Sequence, residues 1–408
     1  MSKKTEKVSP QIRFRKFSEG WREKKIGNIL SETKRPIVLQ DDQRYELVTV
    51  RRRNDGVISR GYLYGREILV KNYSQLSAGD YLISKRQVVH GATGIVPYSL
   101  DGAIVSNEYL VAIGNDEITT AFLTLLSKRP AMYRNFFLSS YGVVIEKLFF
   151  DVEDWKKRTV TIPEVHEQNQ ICSFFNSLDR MIELHQRKHG KLVALKQAML
   201  QKMFPQGGAT IPELRFKGFE GDWSLAELGG EVEFFSGLTY SPHHVRPKGG
   251  TLVLRSSNVK NGELVDADNV YVESCVAKSE QVRIGDIVVV VRNGSRSLIG
   301  KHAPVITQMN DTVIGAFMTG IRAKHFGFIN ALLNTSAFMK QIEENTGATI
   351  NQITTGVFKK MRFRFPKPDE QEKIGDYFRL VDSVISKHAI QVEKLKNIKA
   401  ACLDHMFA

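Results

Sequence analysis

The sequence predicts an α+β protein of two tandem globular domains joined by two long antiparallel coiled-coil helices, arranged about a pseudo-twofold axis. Three observations predict it. The chain is written twice, at a period of about two hundred residues. Each copy begins with short Val/Ile/Tyr-rich runs broken by Gly, Asp and Asn, mixed with helical stretches. Each copy ends in a proline-free stretch whose apolar positions step by four and three.

The duplication is read directly. Pro10, Arg13, Phe14, Phe17 and Trp21 recur 202 residues later as Pro212, Arg215, Phe216, Phe219 and Trp223. Gly79-Asp80 recurs as Gly285-Asp286, each followed by a β-rich run (Tyr81-Leu82-Ile83 and Ile287 to Val290). From Trp155 to Phe204 the second copy follows 203 residues behind without a gap, matching Pro163 to Pro366, Glu167-Gln168 to Glu370-Gln371, Ile171 to Ile374 and Met203-Phe204 to Met406-Phe407. The helical stretch Ala121 to Leu126 has its counterpart at Phe328 to Leu333. These matches divide the chain into a first domain (1–163), a long helix (164–204), a short Gly-containing joint (205–211), a second domain (212–366) and a C-terminal long helix (367–408).

Acidic residues follow each closing proline, where they suit the positive end of a helix dipole. The seam then runs Ile171, Phe175, Leu178, Ile182, His185, His189, Leu192, Lys196, Met199, Met203, and in the second copy Ile374, Phe378, Val381, Ile385, His388, Val392, Leu395, Lys399, Cys402, Met406. Each helix is about 38 residues, roughly 57 Å at the standard rise, longer than covering one core requires. Two equivalent helices that pair with each other satisfy the pattern. Gly190 and Gly375 are tolerable inside such helices. His185 and His388 share one seam position; they are register-fixing polar residues, a metal site or a pH switch.

The 408 residues suit two domains, and 42% apolar with 25% charged residues is the composition of a soluble globular protein. The net charge of +14 and pI near 9.5 suit either a polyanionic partner or a merely basic protein. The polar start Ser2 to Lys7 is not a signal peptide, and Ile287 to Val291 is too short for a membrane span, so a cytoplasmic protein without membrane attachment is expected. Cys172, Cys275 and Cys402 lie too far apart for metal-ligand or redox spacing and fit a reducing compartment.

Catalytic signatures fail in turn. Gly294 to Lys301 has one residue too many for a phosphate loop, and His302 stands where a hydroxyl should reach magnesium. Pro368-Asp369 lacks the acidic-x-Lys triplet of a metal-dependent nuclease, and no Pro-Pro is present for an adenine methyltransferase tetrapeptide. No Gly-x-Ser-x-Gly or His-Glu-x-x-His occurs. No enzyme, metal or cofactor is expected.

Candidates for touching nucleic acid occur in matched places. Arg51, Arg52 and Arg53 follow the run Tyr45 to Val50; the second copy has Arg255, Asn258 and Lys260. After the Gly-Asp strands come Lys85, Arg86, Gln87 and His90, and Arg292, Asn293, Ser295 and Arg296. Arg, Asn and Gln can bond two atoms of a base edge, while Lys mostly anchors phosphate. Each is individually either a base contact or a solvated surface group. The two sets match in position but not in identity, which suits two different half-sites.

With these features the chain closely resembles the specificity subunit of type I restriction-modification systems. The Pro-x-x-x-Glu-Gln-x-x-Ile junctions, the helices after them, the Arg-Phe-x-x-Phe entries before Trp21 and Trp223 and the Gly-Asp strands carry the resemblance over essentially the whole chain. The first junction has Asn169-Gln170 where the family usually has a basic residue. The resemblance implies two target recognition domains on double-stranded DNA, each binding half of a split target. It implies helices that set the spacer and dock two methyltransferase subunits, which bind S-adenosylmethionine, flip the base and methylate adenine, with motor-nuclease restriction subunits joining to cut. The competing readings are a coiled-coil assembly scaffold with only nonspecific DNA affinity, and a fused enzyme.

Overall fold

The four-three stepping becomes two helices of equal length, Val165–Lys202 and Pro368–His405, 38 residues each. Every seam position named above is buried or half-buried in the computed structural model, which describes residues 9–145, 148–346 and 351–407. The chain divides into two compact units: Met1–Leu184 with Gln391–Ala408, and His185–Ile390. Each unit therefore contains the start of one long helix and the end of the other.

Within each unit the two helix segments run antiparallel. In the first unit Asp179 bonds Lys399. In the second Lys196 meets Asp382 at 2.6 Å and His185 Nδ1 meets His388 Nδ1 at 2.8 Å. One imidazole must donate and the other accept, so at least one is neutral. Desolvation pushes His388 down, helped by the nearby His185, Lys188 and His189. Among the described residues no three His, Cys, Asp or Glu side chains group as a metal site.

The repeated motifs have structural causes. Glu167, 2% exposed, accepts from Arg13 Nε and Nη2 at 2.8 and 2.7 Å; Glu370, 1% exposed, accepts from Arg215 at 2.7 Å twice. Gln168 and Gln371 donate to the carbonyls of Pro163 and Pro366 at 2.9 and 3.0 Å, closing the turn into the helix. At the far ends, Phe407 packs on Trp21, Phe122 and Phe175 with ring centroids 6.1, 5.6 and 6.2 Å away. Phe204 packs on Trp223, Phe328 and Phe378 at 5.8, 5.5 and 6.3 Å. Cys172 is buried at its helix, which pushes its thiol up to about 11 and leaves it unreactive. Gly375 does more than survive in its helix: a Cβ there would meet Phe328 N at 2.7 Å, so glycine permits a close backbone crossing with Gly327.

Both units carry a four-stranded sheet of the same order, Leu30–Glu32, Tyr109–Gly114, Tyr81–Ser84, Thr93–Ile95 in one and Glu233–Ser236, Met318–Arg322, Ile287–Val290, His302–Pro304 in the other. Ile287 to Val290 are all buried, the signature of a central strand covered on both faces. Before each central strand a glycine at φ near +90° turns the chain, and the following Asp is locked by arginine: Asp80 by Arg35 (2.7 and 3.1 Å), Asp286 by Arg322 (2.8 and 2.7 Å). A second sheet differs between units. Arg44–Val50 pairs parallel to Ile104–Ser106 and antiparallel to the long Val57–Tyr64. Its counterpart Thr251–Leu254 keeps the parallel neighbour, Thr312–Ile314, but takes Val270–Val272 on the other side.

Two outcomes follow. Phe407→Ala, removing a buried ring, is expected to lower stability by about 3–5 kcal/mol in denaturant unfolding, with Leu380→Ala, at an exposed helix position, within about 0.5 kcal/mol. His302 Nδ1 donates to Gly300 O (2.9 Å) and Nε2 accepts from Asn334 (3.0 Å), so its neutral form is built in; desolvation pushes it down to about 4 from 6.5. Because the unfolded chain takes up the proton first, stability is full above about pH 6.5 and falls progressively toward pH 4. The melting temperature should show this decline, and His302→Gln should reduce it; an undiminished decline would assign it to other groups.

Candidate nucleic-acid interface

The candidate residues collect at the strand ends of each unit. In the first, Arg51 to Arg53 follow the strand Arg44–Val50 and turn through Arg53 and Asn54, both at positive φ (60° and 55°), into Gly56. This turn is latched to the loop after Tyr81–Ser84: Arg53 N donates to His90 O and Asn54 N to Gly91 O, both at 2.7 Å. Asn54 completes the latch, donating to the Tyr133 hydroxyl at 2.9 Å and accepting from Thr93 at 2.8 Å. The fold thus brings Arg51, Arg52 and Arg53 beside Lys85, Arg86, Gln87 and His90.

The second unit does the same with different atoms. Asn293 Nδ2 donates to Ser256 Oγ at 3.0 Å, tying the loop after Ile287–Val290 to the turn that follows Thr251–Leu254. Arg255 and Lys260 are thereby joined to Arg292, Ser295 and Arg296. Lys260 precedes Asn261-Gly262, both at positive φ, in a tight hairpin between Val259–Lys260 and Glu263–Leu264.

Side chains differ in how committed they are. Arg52, Arg53 and Lys260 are exposed and make no side-chain bond among the described residues. Arg51 pairs with Asp55 (3.1 Å), Arg86 with Glu108 (2.9 Å) and Arg255 with Asp268 (2.8 Å), all on exposed or half-exposed carboxylates that water screens. Lys85 donates to Asn107 O and Arg296 to Glu343 O. Arg292 is exposed, and its guanidinium carbon lies over the Phe317 ring, 4.9 Å from the centroid. The Ser295 hydroxyl shares a hydrogen bond with that of Ser297 at 2.9 Å, and its backbone N–H donates to Asn293 Oδ1 at 3.0 Å.

One candidate, Asn258, is corrected by its burial. Asn258 is 1% exposed, and its amide is consumed inside the chain: it accepts from Arg255 N (2.9 Å) and donates to Ala267 O and Asn269 Oδ1 (2.8 Å each). It shapes the turn. Gln87 Oε1 and His90 Nε2 are buried and face inward, so neither atom is presented to a partner in this conformation. Sequence reasoning missed Tyr133, Phe317 and Ser256, which aim the loops. Each lies 25 or more residues from the residue it holds, so no local pattern marks it. A hollow of about 360 Å³ at the head of the first long helix offers no free cation, since its Arg22 and Lys24 face Glu164 and Glu117.

The chain matches the model of the type I restriction modification DNA specificity domain twice, over residues 18–194 and 220–397. It is 27% identical over 193 residues to the type I restriction enzyme EcoKI specificity subunit of Escherichia coli (strain K12), covering 44% of this chain and 41% of that one. It is 25% identical over 193 residues to the StySPI specificity subunit of Salmonella potsdam, covering 44% and 42%. The matches thus span about two fifths of the length of these curated relatives. The type I restriction-modification S subunit from M. genitalium has a similar fold, with TM-score 0.61 at 14% identity over 98% of this chain and 99% of that one. A chain from a structure of complex assembly and conformational transition in the type I R-M system gives TM-score 0.51 at 19% identity, over 94% and 96%. Among the described residues no helix is long and apolar enough to cross a membrane.

The committed and uncommitted side chains separate in a stability measurement. Asn258→Ala leaves buried groups unpaired and should cost about 1–3 kcal/mol, whereas Lys260→Ala should stay within about 0.5 kcal/mol in the same denaturant titration.

Proposed function

Because the chain belongs to the type I restriction-modification DNA specificity family, we propose that it reads a bipartite, asymmetric DNA target, one half-site for each of two target recognition domains. The carrying observation is that each unit latches two strand-end loops together at the same place in its fold, by Arg53 and Asn54 in one and by Asn293 in the other, while the exposed side chains on those loops differ. Equal scaffolds with unequal contact residues suit two different half-sites. The uncommitted Arg52, Arg53 and Lys260 serve phosphates, and the exposed Arg292, placed over the Phe317 ring, is suited by its residue type to the O6 and N7 edge of guanine.

On this reading the target recognition domains are 1–163 and 212–366, the helices 164–204 and 367–408 are a coiled-coil spacer, and 205–211 joins the halves. The pair Asp179–Lys399 in the first unit, and His185–His388 with Lys196–Asp382 in the second, support antiparallel pairing of the helix segments within each unit. Exposed residues along the helices, Leu380 and Ile390 among them, suit docking of two methyltransferase subunits. Those partners carry the adenine chemistry, and motor-nuclease subunits the cleavage; this chain supplies specificity and assembly without a catalytic site.

Co-expression with the methyltransferase subunits and mapping of methylated adenines tests the proposal. Two fixed half-sites at constant spacing are expected. Removing one turn, about 5.4 Å, from both helices should change the spacer and keep the half-sites; an unchanged spacer would reject the helices as its determinant. Affinity of the assembled complex should fall with salt at a log–log slope of order −6 to −10. A scaffold with only nonspecific affinity would show no preferred sites.

A further inference from the structure

The strand register that positions the reading loops identifies one further position common to both units. Ser84 pairs with Tyr109 in the first four-stranded sheet and Val290 with Met318 in the second, in step with the repeated Gly-Asp turns. One residue further out, Lys85 N donates to Glu108 O and Val291 N donates to Phe317 O, each at 3.0 Å. Glu108 and Phe317 therefore stand at the same place in the two folds. So do Arg86 and Arg292, the next residue along each loop.

The side chains at that place treat the arginine in opposite ways. Glu108, half exposed, accepts from Arg86 Nε at 2.9 Å and so takes up one of its donors. Phe317, 54% exposed, lies under the Arg292 guanidinium at 4.9 Å, a cation–π contact that uses none of the N–H donors. A lone exposed ring is ordinary on a protein surface. What distinguishes Phe317 is the recurrence: in both units the residue at this place holds the loop with its carbonyl and touches the loop's arginine with its side chain. Any residue supplies the carbonyl. The exposed side chain is what differs between the units.

Resting on the DNA-reading function proposed above, we infer that Glu108 and Phe317 determine base specificity at one position of each half-site, Phe317 by packing on the methyl group of a thymine and Glu108 by accepting from the N4 amino group of a cytosine. In the major groove the thymine methyl is the apolar feature a ring can recognise, and the cytosine amino group is the donor a carboxylate matches. Successive bases along a strand are about 3.4 Å apart, so a ring 4.9 Å from the guanidinium carbon of Arg292 reaches the base pair beside the one that Arg292 contacts. A carboxylate repels phosphate, so Glu108 belongs at a base edge and not at the backbone. One place in the fold, filled by two side chains, then makes the half-sites unequal without altering the scaffold.

The test uses the chain assembled with co-expressed methyltransferase subunits, on the duplex target that its methylation map defines. Replacing each thymine of the target in turn by deoxyuridine removes one methyl group and nothing else. At one position this should weaken binding about fourfold, the value of a single apolar carbon taken from water. In Phe317→Ala the thymine and deoxyuridine duplexes should bind equally at that position, and Phe317→Glu should move its preference from thymine to cytosine. Glu108→Ala should erase a cytosine preference at one position of the other half-site, with all remaining positions unchanged. Equal binding of every deoxyuridine duplex by the unsubstituted assembly would overturn the role of Phe317, and that comparison needs no variant to fold. Uniformly weaker binding by Phe317→Ala and Glu108→Ala, with base preferences retained, would reject both as determinants and leave them as supports for their arginines. If the unsubstituted assembly shows no preferred sites, the DNA-reading function fails before any variant is compared.

Discussion

Seating a phenylalanine at the end of each long helix is the contact on which the remaining architecture depends. Phe407 completes the aromatic box of Trp21, Phe122 and Phe175, and Phe204 completes that of Trp223, Phe328 and Phe378. Each box is incomplete within its own stretch of chain, because the helix that starts beside it leads away and the ring arrives on the other helix. Aromatic contacts of this kind contribute about 0.5–1.5 kcal/mol each beyond the area they bury, and three surround each ring. That requirement makes the helix segments antiparallel inside each unit and gives the four-three seam its length.

At the opposite ends of the helices, buried carboxylates do the aligning. Glu167 and Glu370 are almost wholly excluded from water, and an unpaired charge there would be costly; a two-bond guanidinium grip from Arg13 or Arg215 compensates it. The same bond raises both arginines above their usual range. Because the arginines sit in the arms that lead to Trp21 and Trp223, each arm is drawn against the helix head at the depth its tryptophan needs.

With the scaffold held in this way, the loops can vary. The buried Asp of each Gly-Asp turn anchors a central strand, and the loop leaving that strand is then latched to a neighbouring turn. Backbone atoms make the latch in one unit and the Asn293 amide makes it in the other. Arg52, Arg53 and Lys260 on these loops are exposed and make no side-chain bond among the described residues, so their identities are free to suit a partner.

The sequence by itself determined the duplication, the two 38-residue helices and the burial of their seams, because periodicity and repeat spacing are one-dimensional signals of local geometry. It also located the strand-end loops, in which the structure then places Asn54 and Asn261 at positive φ. Only the tertiary structure decided what those residues do. Asp80 and Asp286 look alike in sequence but take their arginines from different places, Arg35 before one and Arg322 after the other. Asn258 resembled a reader and proved to be a buried turn anchor, and Gly375 resembled a tolerated defect and proved to be a crossing point. Burial and partner choice depend on contacts between residues far apart in the chain, which no spacing within one segment encodes.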